Sequence, residues 1–273
     1  LGRLRKDAPY VGEYRLSEAN VYLTADLLPD RLTFYVDERL APGAATAREL
    51  FALLRPGPRG VYVKAGRFFL PFGWRLLDDD AATRRPVGFS FDQSDTGIEV
   101  GAEEGGWSGI LSVSNGTAGA PETDNGKQAS FVGAYTRPRW RVGLSAANND
   151  LAGRRRHRAG GVFGGIRRGA LVLLAEIDRV ESRGAAGPEI EGEARHAELD
   201  LLLLEGLNLR VWAGRFDPDR SAPADTLRQS GIALDWTVLP GLQVRGVFRG
   251  RNGPAGVAGS RDDEATLEVH LYF

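Results

Sequence analysis

A two-residue rhythm runs through this chain and limits what it can fold into. It is clearest at the end, where Ala265, Leu267, Val269, Leu271 and Phe273 are apolar and Glu264, Thr266, Glu268, His270 and Tyr272 alternate with them. Successive side chains of a strand point to opposite faces, so this segment makes a strand with one apolar and one mostly polar face. Ile232, Leu234, Trp236 and Val238 repeat the pattern, as do Trp140, Val142, Leu144 and Ala146, Ile98, Val100 and Ala102, and Ala19 to Leu27 near the start. A period of two excludes amphipathic helices over these stretches. Between Val11 and Phe273 such segments suggest fifteen strands. Closed single-chain barrels favour even numbers, so the expectation is about 16 strands, with 14 next. Residues 1–10 then form an arm or the first strand. Ala44–Arg55 is the segment that helix propensity contests, and its short following turn favours a strand.

The connections alternate as well. Leu28–Asp30, Pro56–Gly60, Gly105–Gly106, Arg137–Arg139, Arg167–Gly169, Glu205–Asn208 and Leu239–Gly241 are short. Pro71–Val87, Thr117–Gly126, Asn149–Arg154, Arg183–Glu189, Asp217–Asp225 and Asn252–Asp262 are mostly longer and polar. Short turns on one rim and long loops on the other are the organisation of a membrane barrel. No apolar run approaches the ~18 residues of a spanning helix, and barrels hide their apolar surface by alternation. The expected fold is therefore all-β: a transmembrane antiparallel up-and-down β-barrel, one domain over residues 1–273, in a bacterial outer membrane. Its apolar sets face lipid and its charged sets the lumen. Trp107 and Trp140, beside short turns, suit an interfacial girdle. Trp212 falls out of phase, on the lumen side. Gly160, Gly161, Gly164 and Gly165 lie inside a strand, where they relieve crowding.

Composition removes other classes. There are 35 Lys+Arg against 36 Asp+Glu, so no whole-chain basic footprint for nucleic acid exists. Cys is absent, which excludes disulfides, thiolate metal sites and covalent haem attachment. His157, His196 and His270 lie on a loop and two separate strands without metal-site spacing. No phosphate-cradling glycine motif appears. Neither an enzyme nor a cofactor is expected. The chain begins at Leu1 rather than Met, which reads as a processed or truncated start.

Two stretches carry a resemblance. Glu264–Phe273 resembles the terminal signal of outer-membrane barrels, which implies that Leu267, Val269, Leu271 and Phe273 are read by the barrel-assembly machinery. Val63-Lys64-Ala65-Gly66-Arg67-Phe68-Phe69-Leu70-Pro71-Phe72-Gly73 resembles a strand and turn of the phosphate-selective porin O and P family. In that family Gln is usual where Arg67 stands and Lys near Phe69. Asp95-Thr96-Gly97-Ile98-Glu99-Val100, Ser112-Val113-Ser114-Asn115-Gly116, Asn125-Gly126-Lys127 and Thr136-Arg137-Pro138 are similar to later pieces of it, in order. The resemblance covers about residues 60–140 and the C-terminal strand. It implies a diffusion channel. It does not imply phosphate selectivity, because the basic ladder of selective members has no residue-by-residue match here.

Pro71–Val87 holds Arg75, Asp78, Asp79, Asp80, Arg84 and Arg85. It reads either as a loop folded into the lumen, constricting it, or as a solvated surface loop. A metal site is the weaker reading of the three Asp, since adjacent carboxylates diverge. Arg154–Arg158 lies on the long-loop rim, as a solvated stretch, as an attractor of anions to the mouth or as a dock for lipopolysaccharide phosphates. The lumen set has acids such as Glu99, Asp200 and Asp235. Lys64, Arg210, Arg245, Arg249 and Arg251 are among its bases. Twelve acids face seven bases, which predicts weak cation preference or a patchy pore. The functional expectation is a porin passing small polar solutes or ions. The alternative is a barrel that sheathes or docks a partner protein, such as a multihaem cytochrome. A substrate-specific channel is a third reading. Membrane lipid and lipopolysaccharide are expected partners, and homotrimerisation stays open.

Overall fold

The alternation becomes one antiparallel sheet of seventeen strands. The computed structural model describes the chain except for residues 1, 6–10, 15, 58, 59, 152–154, 185, 186, 256, 258 and 273. Two short strands come first, β1 (Gly2–Arg5) and β2 (Val11–Gly12). The longer ones begin with β3 (Ala19–Leu28), β4 (Leu32–Ala41), β5 (Thr46–Leu54) and β6 (Tyr62–Phe68). Then come β7 (Asp95–Glu104), β8 (Trp107–Ser114), β9 (Lys127–Arg137), β10 (Trp140–Leu151) and β11 (Arg155–Arg168). The last six are β12 (Leu171–Arg183), β13 (Glu189–Leu204), β14 (Leu207–Asp217), β15 (Leu227–Leu239), β16 (Leu242–Asn252) and β17 (Asp262–Leu271).

Each strand from β3 to β17 pairs with the next, and β17 pairs in turn with β1, Gly2 opposite Ala265. The N-terminal segment adds two short strands to the fifteen long ones, seventeen where about sixteen were expected, and it brings the two chain ends together. Thr46–Leu54 is a strand, paired on both sides. The β13–β14 and β15–β16 connections are tight hairpins. Gly206 and Gly241 hold positive φ of 80° and 85°. A Cβ there would also stand 2.9 and 2.7 Å from the carbonyl oxygens of Thr237 and Tyr272, so glycine alone fits.

The two faces separate as the rhythm demands. On β7, Ile98 and Val100 are 57% and 45% exposed while Glu99 between them is 1% exposed. The buried apolar cluster lies on the polar, inner side. Phe68, Leu70, Phe72, Val87 and Phe89, on or after β6, pack against Ala147, Ala159, Val180 and Ala194 of β10 to β13.

Two local features differ from expectation. The β10–β11 ladder continues to Leu151 opposite Arg155, so His157 is in a strand and not in a loop. Polar residues there kept the ladder because its hydrogen bonds are backbone bonds, indifferent to side-chain polarity. Arg154 lies outside the described residues. On β5 the pairing jumps from Asp37–Glu49 to Glu38–Ala47. Arg48 is the extra residue of this β-bulge, and a bulge re-aims a side chain.

Candidate functional site

The connection between β6 and β7 touches strands far apart around the sheet. Arg39 of β4 pairs with Asp92 at 2.6 Å, and the Phe69 N–H donates to Glu49 of β5 at 3.1 Å. The Trp74 N–H donates to Glu176 of β12 at 3.1 Å. Gln229 of β15 donates to the Asp80 carbonyl at 2.8 Å, and Arg249 of β16 pairs with Asp78 at 2.6 Å. Contacts from β4 to β16 put residues 69–94 against the polar face of the sheet.

Aromatic and guanidinium groups hold the connection at both ends. Arg48, redirected by its bulge, stands 5.4 Å from the ring centres of both Phe69 and Phe91. Its guanidinium also pairs with Glu18. Phe72 and Phe89 stack at 4.2 Å. Trp74 meets Phe163 of β11 edge-on at 5.0 Å, with Arg141 over both rings. His157 links the connection to β12, Nε2 being 3.0 Å from the Val87 carbonyl and Nδ1 3.1 Å from Ser182 Oγ.

The predicted loop residues divide between anchoring and facing. Arg75 donates to the Phe69 carbonyl at 3.1 Å. Arg84 is buried, over the Phe91 ring and 3.9 Å from Asp79. Burial lowers its pKa to about 10 and raises that of Asp79 above the usual carboxylate range. The Phe91 N–H donates to Asp79 at 2.8 Å. Arg85 reaches Asp79, Asp80 and Asp92 at 3.3 to 3.5 Å. Asp78 points the other way, to β16, and Asp80 bridges the two sides: its Oδ2 lies 3.0 Å from Arg249 and 3.2 Å from Arg251.

The predicted wall residues form paired charges. Lys64 Nζ stands 2.8 Å from Glu99, and the Tyr62 hydroxyl donates to the same carboxylate at 2.8 Å. Both charged side chains are nearly covered, with Phe51 and Phe68 rings around the ammonium. Arg210 lies 3.9 Å from both Glu198 and Asp235. Arg245 pairs with Asp235 and stands 3.8 Å from Glu268. Arg251 also reaches Glu264 at 3.4 Å. Asp200 accepts from Asn208 at 3.5 Å. Each base gathered on β14 and β16 therefore has a carboxylate beside it. The wall is a mosaic rather than a single-sign stripe.

Trp212, without a reason in the sequence, gains one here. It is 3% exposed, with the guanidinium groups of Arg210 and Arg249 5.3 and 5.7 Å from its ring. A Cβ on Gly231 of the neighbouring strand would stand 2.3 Å from the ring. The glycine is the space the indole fills. Gly143 does the same for Phe163, and Gly161 for Asp178, at 2.3 and 1.8 Å. Arg48, Trp74, Phe163 and His157 were not among the predicted site residues. Only the bulge, the strand register and the path of the connection bring them together.

Leu267, Val269 and Leu271 line the outer face of β17, each more than 60% exposed. Phe273 lies outside the described residues. His196 is buried on β13 and His270 lies beside Tyr272 on the last strand. No group of three metal-ligating side chains occurs among the described residues.

These features define a class: a transmembrane up-and-down β-barrel with the fold of bacterial outer-membrane porins. Among solved structures, OmpT of Vibrio cholerae superposes with a TM-score of 0.75 over 100% of this chain and 94% of its own, at 10% identity. Salmonella typhi OmpF, solved with daunomycin, gives 0.69 over 99% and 94%, at 11% identity. An anion-selective porin from Comamonas acidovorans gives 0.67 over 91% and 87%, at 10% identity. No family profile and no curated protein sequence matches the chain.

Proposed function

We propose that this chain is an outer-membrane porin, a water-filled channel for passive diffusion of small polar solutes or ions. The observation that carries this reading is the lining: an apolar outer wall encloses a charged inner one, against which residues 69–94 lie. We read the 71–87 stretch as the constriction. Asp78 and Asp80 opposite Arg249 and Arg251 form its charged edge, and Lys64, Glu99, Asp200, Arg210, Asp235 and Arg245 line the wall. Opposed charges at a constriction order permeating water and ions. Because the wall charges are paired, selectivity between cations and anions is weak. The fold likeness to outer-membrane porins supports this location and a non-enzymatic role. The trimer form of Vibrio cholerae OmpT, with a TM-score of 0.73 at 12% identity, supports a homotrimer. The resemblance of the stretch 60–140 supports kinship with the phosphate-selective porin O and P family and does not imply phosphate selectivity. Lipopolysaccharide contact at the long-loop rim and reading of the last strand by the assembly machinery complete the proposal.

Single-channel conductance of the folded protein in a planar bilayer tests it, with the reversal potential under a salt gradient. Steady conductance with a small reversal potential is expected. A folded barrel with no conductance would exchange the open channel for the alternative, a sheath filled by a partner protein.

A further inference from the structure

Four arginines crowd one stretch of the short-turn rim. Arg137 ends β9, Arg139 sits in the turn to β10, and Arg167 and Arg168 end β11. The two turns are neighbours, for the Arg167 N–H donates to the Arg139 carbonyl at 2.7 Å. Between them opens a cleft of about 620 Å³ lined by Pro138, Arg139, Ile166, Arg167, Arg168 and Gly169. None of the four guanidinium groups forms an ion pair with a described residue, in contrast to the paired arginines of the inner wall. The flanking short turns carry Glu104 and Glu205 instead, so the basic stretch is confined to these two hairpins.

What lies beside it is aromatic, then apolar. The Arg137 guanidinium stands 4.7 Å from the Tyr135 ring. Tyr135 contacts Trp107 and Trp140 at 4.5 and 5.5 Å. Ile166, opposite Trp140, and, further from the rim, Val142, Leu144 and Val162 are each more than half exposed on the outer face. An unpaired guanidinium fork matches phosphate oxygens. Indole and phenol rings settle at headgroup depth. Exposed aliphatic side chains below them suit acyl chains.

We infer that this patch binds one anionic phospholipid. Its phosphate sits in the cleft between Arg139, Arg167 and Arg168, and its acyl chains run along Val142, Leu144 and Ile166. The inference rests on the membrane-barrel reading, since only in a bilayer does this rim meet headgroups. It deepens that reading by naming a lipid class and a place on the periplasmic side, away from the long-loop rim.

Native mass spectrometry of the purified folded chain tests it, with phosphatidylglycerol or phosphatidylcholine added. Retention of one phosphatidylglycerol over phosphatidylcholine is expected. The triple variant Arg139→Gln, Arg167→Gln, Arg168→Gln should weaken it about tenfold or more, and Arg139→Gln alone by less. Heat-modifiability on gels checks that both variants stay folded. Equal retention of the two lipids, or retention unchanged in the triple variant, would overturn the inference. So would displacement by inorganic phosphate at matching concentration, which marks a free-anion site. Failure to insert into vesicles of either lipid would instead sink the membrane-barrel reading.

Discussion

Gly231 shows what one missing side chain can decide. The Trp212 indole occupies the space where a Cβ at 231 would stand, and the ring in turn spaces Arg210 from Arg249. Forcing extra volume into a packed site costs about 1–3 kcal/mol. Gly231→Ala is expected to lower unfolding stability by that amount, read from the urea midpoint of the vesicle-inserted protein. Gly246→Ala, with open space at its Cβ position, should leave the midpoint nearly unchanged. The pairing of Gly231 with Trp212 could not be seen from residue types, because it depends on Trp212 facing Gly231 across β14 and β15. Arg48 is the same lesson in another form. Simple alternation assigns it one face, and a single bulge gives it to the other.

At the scale of elements, the 69–94 connection is held in two ways. Its apolar residues pack on small inner side chains, Ala147, Ala159, Val180 and Ala194. Its acidic tip reaches Arg249 and Arg251. The Asp80 side chain is 44% exposed, so its pairs with Arg249 and Arg251 add no more than about 1 kcal/mol each, while the Asp78–Arg249 pair is largely covered. The packing should therefore hold the connection when the tip is released. The double variant Asp78→Asn, Asp80→Asn is expected to fold normally and conduct more. Its reversal potential should shift towards anions, because Arg249 loses both carboxylate partners. Bilayer recording of variant and parent side by side checks this. A drop in conductance would mean that the tip does not border the passage. The charges of this loop and of β16 were legible in the sequence as residues. Their pairing was not, since it joins positions about 170 apart in the chain and rests on the path of the connection between β6 and β7. Its aromatic anchors were legible only as part of a family-like stretch.

For the whole molecule, the outer wall sets the solvent the fold requires. Leu144, at mid-strand on β10, is 51% exposed. A charge placed there at the bilayer midplane costs ~2–4 kcal/mol. Leu144→Arg should lose that much folding stability in vesicles, measured by equilibrium unfolding, whereas Val257→Arg, on the long β16–β17 loop, should lose little. Equal effects would argue against a hydrocarbon surround. By itself the sequence determined the strand type, the near-sixteen count, the alternation of rims and the apolar outside. Each follows from local periodicity and turn chemistry, which need no knowledge of distant neighbours. Only the tertiary structure decided that the N-terminal strand pairs with the last one, that the bases of β14 and β16 are matched by carboxylates, and that glycines face the large inner rings. Those depend on register and closure, which place side chains together across strands, and no local pattern encodes that meeting.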